Sequence, residues 1–65
     1  MSMTEDLLAL VERIALRLPH VSRLAILDAV EVEWVRLGAN VEPYLMPLVG
    51  PAALWRLRTD ADTAL

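Results

Sequence analysis

The sequence has 65 residues, of which 57% are hydrophobic, and a formal net charge of −3 from six basic and nine acidic side chains. A chain of this length supports one domain and buries only about 60% of the surface that its unfolded form exposes. Small folds usually compensate with disulfides, a metal or oligomerisation. The absence of cysteine excludes disulfides and thiolate metal sites, and the single histidine leaves too few ligands for a zinc site within one chain. Oligomerisation is the remaining means of stabilisation.

Charge and hydropathy also bear on the partners and the location of the chain. An acidic balance opposes direct binding to nucleic acid, whose protein ligands concentrate Lys and Arg on one face. The mean hydropathy of +0.47 is high. However, the longest run without a charge, Pro43 to Trp55, has 13 residues with three prolines, and a membrane span needs about 20 apolar residues. The N-terminus is acidic where a secretory signal is basic. We therefore expect a cytoplasmic protein without a nucleic-acid or membrane partner.

The first predicted helix starts at residue 3, because Ser2 and Glu5 have the spacing of a capping box. It ends before Pro19, since the residue that precedes a proline is disfavoured in a helix. Steps of three and four place five apolar residues on one core-facing stripe; these are Leu7, Leu10, Val11, Ile14 and Leu18. Leu8 and Leu16 lie outside this stripe, so a monomer would leave them exposed.

The second predicted helix runs from its N-cap Ser22 to Leu37, and Gly38 stands where a left-handed C-cap residue is favoured. One arc of this helix, about 100° wide, is typical of a core-facing stripe. It holds Ile26, Leu27, Val30, Trp34 and Leu37. A second arc carries further apolar side chains beside two acids. It holds Leu24, Ala25, Asp28, Glu31, Val32 and Val35.

The surplus apolar residues predict a contact with another chain. A contiguous exposed apolar patch on the order of several hundred Å² marks an interaction site. Burying it would contribute on the order of 10 kcal/mol of gross hydrophobic free energy, before the entropic costs of association. The candidate interface comprises Leu8, Leu16, Leu24, Asp28, Glu31, Val32 and Val35. The alternative is that the other helices wrap the second helix from both sides.

The third predicted element starts with Asn40 as N-cap and Pro43 in the first helical turn, where the missing N–H costs little. Pro47 should bend this element, and Gly50 followed by Pro51 predicts a break before a short final helix that ends at residue 58. The predicted apolar face of the two pieces is Tyr44, Leu45, Leu48, Val49, Ala52 and Trp55. Residues 59–65 are small and acidic, and we expect a flexible tail there. The predicted fold is an all-α, small three-helix bundle over residues 1–58 with a kinked or broken third helix.

No pattern in the chain fits a catalytic, cofactor-binding or metal-binding template, and we expect no enzymatic activity. The two glycines are isolated rather than part of a phosphate-binding loop. His20 has no nucleophile or carboxylate at a spacing that suggests a triad. Trp34 and Trp55 lie on apolar stripes and are expected in the core. A small-molecule site between these two tryptophans and Tyr44 is a further alternative.

The chain resembles the small actinobacterial three-helix bundle dimerisation domain, which also occurs at the N-terminus of low-molecular-weight phosphatase-like arsenate reductases. The residues that carry the resemblance lie within 7–58 and are LRLPHV at 16–21, the middle helix, ANVEPYLMPLV at 39–49, Ala52 and Leu57-Arg58. The resemblance implies three helices and a homodimer, and it supplies no catalytic residues. One departure is Gly50-Pro51-Ala52-Ala53, where the family commonly continues the third helix with charged residues.

Composition, helix patterning and this resemblance together predict a non-catalytic helical module that forms a homodimer through apolar helix faces. The expected partner is a second copy of the chain, and no cofactor is expected. The alternative is an adaptor or inhibitor subunit, of the antitoxin-like or regulatory kind, that offers the same face to a different protein.

Overall fold

The computed structural model describes residues 3–63, and it describes the side chains of residues 6–60. The elements follow in the order α1 (Met3–Arg17), α2 (Arg23–Arg36), a 3₁₀ turn (Pro43–Leu45) and α3 (Met46–Thr63). Residues 3–63 contain no strand. The prediction of an all-α three-helix fold is therefore confirmed. No helix in this part of the chain is both long enough and apolar enough to cross a membrane.

Helix α1 presents the predicted stripe to the core. Leu10, Val11 and Ile14 are buried, and Leu7 and Leu18 are half-buried against them. The helix ends at Arg17, two residues before the proline at position 19, as the sequence predicts. The predicted capping box lies outside the described part of the chain, because residue 2 and the side chain of residue 5 are not described.

Helix α2 is capped at both ends by the predicted residues. The Ser22 hydroxyl oxygen accepts a 3.2 Å hydrogen bond from the backbone N–H of Ala25, which satisfies one of the free amides of the first turn. Gly38 has φ of +83°. Its N–H donates to the carbonyl of Val35, and the next N–H, of Ala39, donates to the carbonyl of Trp34. This pair of bonds is a Schellman motif, which favours glycine because its left-handed residue needs positive φ.

The core lies around α2, which packs extensively against both α1 and α3, whereas α1 and α3 contact each other little. Ile26 and Val30 from α2 and Val49 from α3 are fully buried, and each contributes about 1.5–3 kcal/mol by leaving water. The remaining members of the predicted α2 core arc are half-buried and pack against this cluster; they are Leu27, Trp34 and Leu37. The predicted inward arc of α2 is therefore confirmed.

The third element consists of two pieces, but the junction differs from the predicted one. Asn40 lies within a turn and does not cap a helix; instead Glu42 precedes the 3₁₀ turn that begins at Pro43. Helix α3 begins at Met46 and continues through Pro51 without interruption. The predicted break at residues 50–51 is wrong, because Pro51 lies in the second turn of α3. There it removes only the one hydrogen bond to the carbonyl four residues earlier.

Helix α3 also ends later than predicted and turns a different face inward. It extends to Thr63, so the predicted end at residue 58 is wrong. The division between domain and tail at that residue stays a prediction. The residues of α3 that meet the core are Met46, Val49, Ala53, Leu54 and Leu57. The predicted core positions Tyr44, Leu48 and Trp55 are exposed. Close packing accounts for the side of α3 that turns inward, because this side carries small residues. A Cβ atom added at Gly50 would lie only 3.0 Å from Leu10 Cδ1.

Candidate functional site

Five of the seven candidate interface residues share the side of α2 that points away from the core. We call this set, Leu24, Asp28, Glu31, Val32 and Val35, the outer face of α2. Leu24 is 80% exposed and Val35 is 58% exposed. The last four members of the set line one shallow depression together with Arg36. Helices α1 and α3 pack on both sides of α2, as in the alternative prediction, but they leave this face uncovered.

The other two candidates lie on α1. Leu8 and Leu16 are both exposed, Leu16 at 84%. Eight residues separate them, which places them about 80° apart around the helix axis. Neither lines the depression on α2. The structure therefore splits the predicted interface into a continuous face on α2 and two single leucines on α1.

An exposed ion pair joins α1 to α2 beside these leucines. Arg23 donates from Nε to Glu12 Oε1 at 2.8 Å and from a terminal nitrogen to Oε2 at 3.0 Å. This two-bond geometry suits the planar guanidinium. The hydrogen bond from Arg23 is the main cause that lowers the pKa of the Glu12 carboxyl; desolvation opposes it, and the charge of Arg23 adds to the lowering. The two partners are eleven residues apart and lie on different helices, so spacing within one helix does not predict the pair.

A buried carboxylate links α2 to α3. Glu33 is only 5% exposed and lies among the apolar side chains of the α2 core arc. It accepts a hydrogen bond from Nε of Arg36, and Arg56 of α3 brings a terminal nitrogen to 3.7 Å from its other oxygen. Such an acid needs charged partners, because an unpaired buried carboxylate is costly. The sequence does hold a signal for the burial of Glu33, since it lies three residues after Val30 and therefore next to the inward arc of α2.

A second exposed apolar stripe runs along the third element. It comprises Tyr44, Leu48, Pro51 and Trp55, spaced at i, i+4, i+7 and i+11, and we call it the α3 stripe. Trp55 is 72% exposed. The spacing was visible in the sequence, but the aromatic residues were assigned to the core because aromatic side chains usually dominate cores. The α3 stripe is therefore a surface that sequence reasoning missed.

The two tryptophans occupy different environments. Trp34 is half-buried against the core, and its Nε1 is buried without a hydrogen-bond partner among the described residues. Trp55 lies on α3 and faces solvent. The two tryptophans and Tyr44 therefore do not line a common site for a small molecule. The ligand site suggested as a further alternative stays a prediction without geometric support.

An open groove separates α1 from α3, and the sequence did not predict it. Its floor is apolar and includes Leu10, Gly50 and Leu54. Asp6 lines one end, Arg13 lies in the middle and Arg17 lines the other end. We call this feature the α1–α3 groove. It exists because both helices pack on α2 rather than on each other.

Within the described residues no group of three His, Cys, Asp or Glu side chains could hold a metal ion. His20 is exposed in the connection between α1 and α2. No protein-family model, curated protein or solved structure matches the chain. The resemblance to the three-helix bundle dimerisation domain therefore stays a prediction, and the evidence for function comes from the surfaces of the molecule.

Proposed function

We propose that the chain is a non-catalytic helical protein-interaction module that self-associates, in the first instance as a homodimer, through apolar helix faces. The observation that carries this proposal is the outer face of α2. Its Leu24 and Val35 are largely exposed although they sit on the helix that organises the core. Patches of this kind on small proteins are usually interaction sites.

The size of the chain supports the same proposal. A 65-residue domain without cysteine has a small core and gains stability when it buries further apolar surface against another copy. Nine apolar residues form the buried core within the described part of the chain. Large apolar side chains exposed on all three helices remain available for association.

The decisive variant is Val35→Glu, which places a charge among the apolar side chains of the outer face of α2. We expect the wild-type chain to sediment as a dimer or larger species at tens of micromolar, and V35E to weaken association by at least about tenfold, because an unpaired charge must be desolvated. Sedimentation equilibrium measures both. The matched control is Leu48→Glu, since Leu48 is 53% exposed but lies on the α3 stripe. A monomeric wild-type chain would refute the proposal.

The sequence assigns the alternative function, an adaptor or inhibitor subunit, to the same face as self-association, but the exposed α3 stripe offers it a second surface. Its exposed Tyr44 and Trp55 are residue types enriched at the centres of protein interfaces. This function predicts a complex of fixed stoichiometry with one specific protein. Trp55→Glu should abolish that complex and Val35→Glu should leave it intact, as measured by co-elution of the purified components. The reverse pattern would assign the heterologous partner to the outer face of α2.

A further inference from the structure

The α1–α3 groove has the form of a helix bundle that lacks its fourth helix. Helices α1 and α3 run in the same direction, because residue numbers on both rise together along the groove. Leu10 and Arg13 line the stretch that contains Pro47 and Gly50, and Ile14 lines the stretch that contains Leu54. In an up-and-down four-helix bundle the position between two such helices is filled by a helix that runs antiparallel to both.

The groove and the outer face of α2 have complementary charges. The groove carries arginines in its middle and at one end, at positions 13 and 17, and an acid, Asp6, at the other end. The depression on α2 contains two acids, Asp28 and Glu31, toward its N-terminal end, and one cation, Arg36, toward its C-terminal end. An antiparallel α2 helix laid in the groove therefore meets opposite charges at both ends.

One register pairs both Asp28 and Arg36 with groove residues of opposite charge. When the partner's Val32 lies level with Leu10, the partner's Arg36 falls four residues further on and lies level with Asp6. The partner's Asp28 falls four residues in the other direction and lies level with Ile14, between Arg13 and Arg17. Residues four apart share one side of a helix, so the apolar centre and the charged ends match in the same alignment.

Contact between two outer faces is less favourable. A two-fold contact brings the same surface of both copies together. Each outer face carries two acids, Asp28 and Glu31, with one cation, Arg36, beside it, so this contact brings together two surfaces of net negative charge. The groove carries two arginines and one acid, so it offers the outer face of α2 a surface of opposite net charge.

We propose that the outer face of α2 of one copy occupies the α1–α3 groove of a second copy as the fourth helix of a bundle. This inference rests on the proposed self-association and specifies its geometry. The two surfaces lie on opposite sides of the molecule, because the groove opens away from α2. Such a contact between unlike surfaces does not close at two copies, and association continues in a head-to-tail manner as concentration rises.

A charge exchange tests the contact. The groove variant R13E/R17E gives the groove the same sign as the acids on α2, and the face variant D28R/E31R gives the outer face the same sign as the groove arginines. Each alone should weaken self-association by at least about tenfold, and the combined variant R13E/R17E/D28R/E31R should recover it. Sedimentation equilibrium over a wide concentration range should show the wild-type average mass rising beyond that of a dimer.

The controls separate the possible failures. Asp60→Arg reverses an exposed charge outside both surfaces and should leave association unchanged. Circular dichroism checks that each variant is folded, and the single substitutions R13E and D28R, with their combination, replace any double variant that unfolds. A wild-type chain that stays monomeric overturns both the function and the contact. A wild-type chain that associates while R13E/R17E associates equally well overturns the contact alone.

Discussion

Tyr44 combines an exposed ring with a fixed hydroxyl group. Its O–H donates a 2.8 Å hydrogen bond to Glu42 Oε2, two residues earlier at the start of the 3₁₀ turn. This hydrogen bond is the main cause that raises the pKa of the Tyr44 phenol, and desolvation adds to it. Ionisation of the phenol removes the donated proton and brings two negative charges together. The contact therefore holds only while the tyrosine is neutral.

Tyr44 is the only tyrosine of the chain, so alkaline absorbance titration of phenolate reports its pKa directly. Because the pKa of the folded state is raised, the stabilisation by this bond is complete below the pKa of an unfolded tyrosine and is lost as pH rises through the folded value. We expect a midpoint above that of the chain unfolded in urea. Glu42→Gln should lower the midpoint of the folded chain, since it removes the negative charge. An unchanged midpoint would contradict the bond.

At the scale of helices, Glu33 links α2 to α3 through two arginines. Its carboxylate is buried on the inward side of α2 and has arginines from both helices beside it, Arg36 and Arg56. The two arginines are themselves partly exposed, which reduces the cost of desolvating them. The contact with Arg56 therefore links α2 to α3.

Replacing Glu33 with alanine should destabilise the fold by about 1–3 kcal/mol. This is less than the loss of a fully buried pair, because the arginines left behind can reach water. Urea denaturation followed by circular dichroism measures the change. The comparison variant is Glu12→Ala, which removes the exposed pair with Arg23 and should change the midpoint little. Equal losses of stability in the two variants would show that the buried pair of Glu33 stabilises the fold no more than the exposed pair of Glu12.

At the scale of the whole molecule, stability and association are coupled. The core is small, and α1 and α3 leave a groove between them instead of forming a third packed helix interface. Whatever buries the groove or the outer face of α2 stabilises the folded state by mass action. The chain should consequently be most stable at concentrations at which it associates.

The thermal midpoint should therefore rise with protein concentration. Over a roughly hundredfold range, association of the folded state alone can add up to about 2.7 kcal/mol. A domain of this size shifts by about 4–8 °C for each kcal/mol. Scanning calorimetry of the wild type at the two extremes measures the shift, and R13E/R17E should shift less. A midpoint independent of concentration in the wild type would contradict self-association of the folded chain.

The sequence predicted the inward faces of α1 and α2 well and that of α3 poorly. Leu10 and Ile14, and Ile26 and Val30, follow the helical spacing that buries them. In α3 two stripes of similar spacing compete, and one carries Trp55 while the other carries Ala53. Hydrophobicity favours the first stripe, but close packing selects the second. Of the candidate interface, the exposure of its apolar members on α2 was predictable, whereas the groove was not.

The sequence by itself determined the fold class, the caps of α2 and its division into an inward and an outer face. These features depend on residues within a few positions of one another, so local periodicity and backbone preferences define them. Only the tertiary structure decided which side of α3 turns inward, that Glu33 is paired across two helices, and that a basic groove lies opposite the acidic face of α2. Each of these depends on how closely two helices approach, and that distance is set by side chains far apart in the chain.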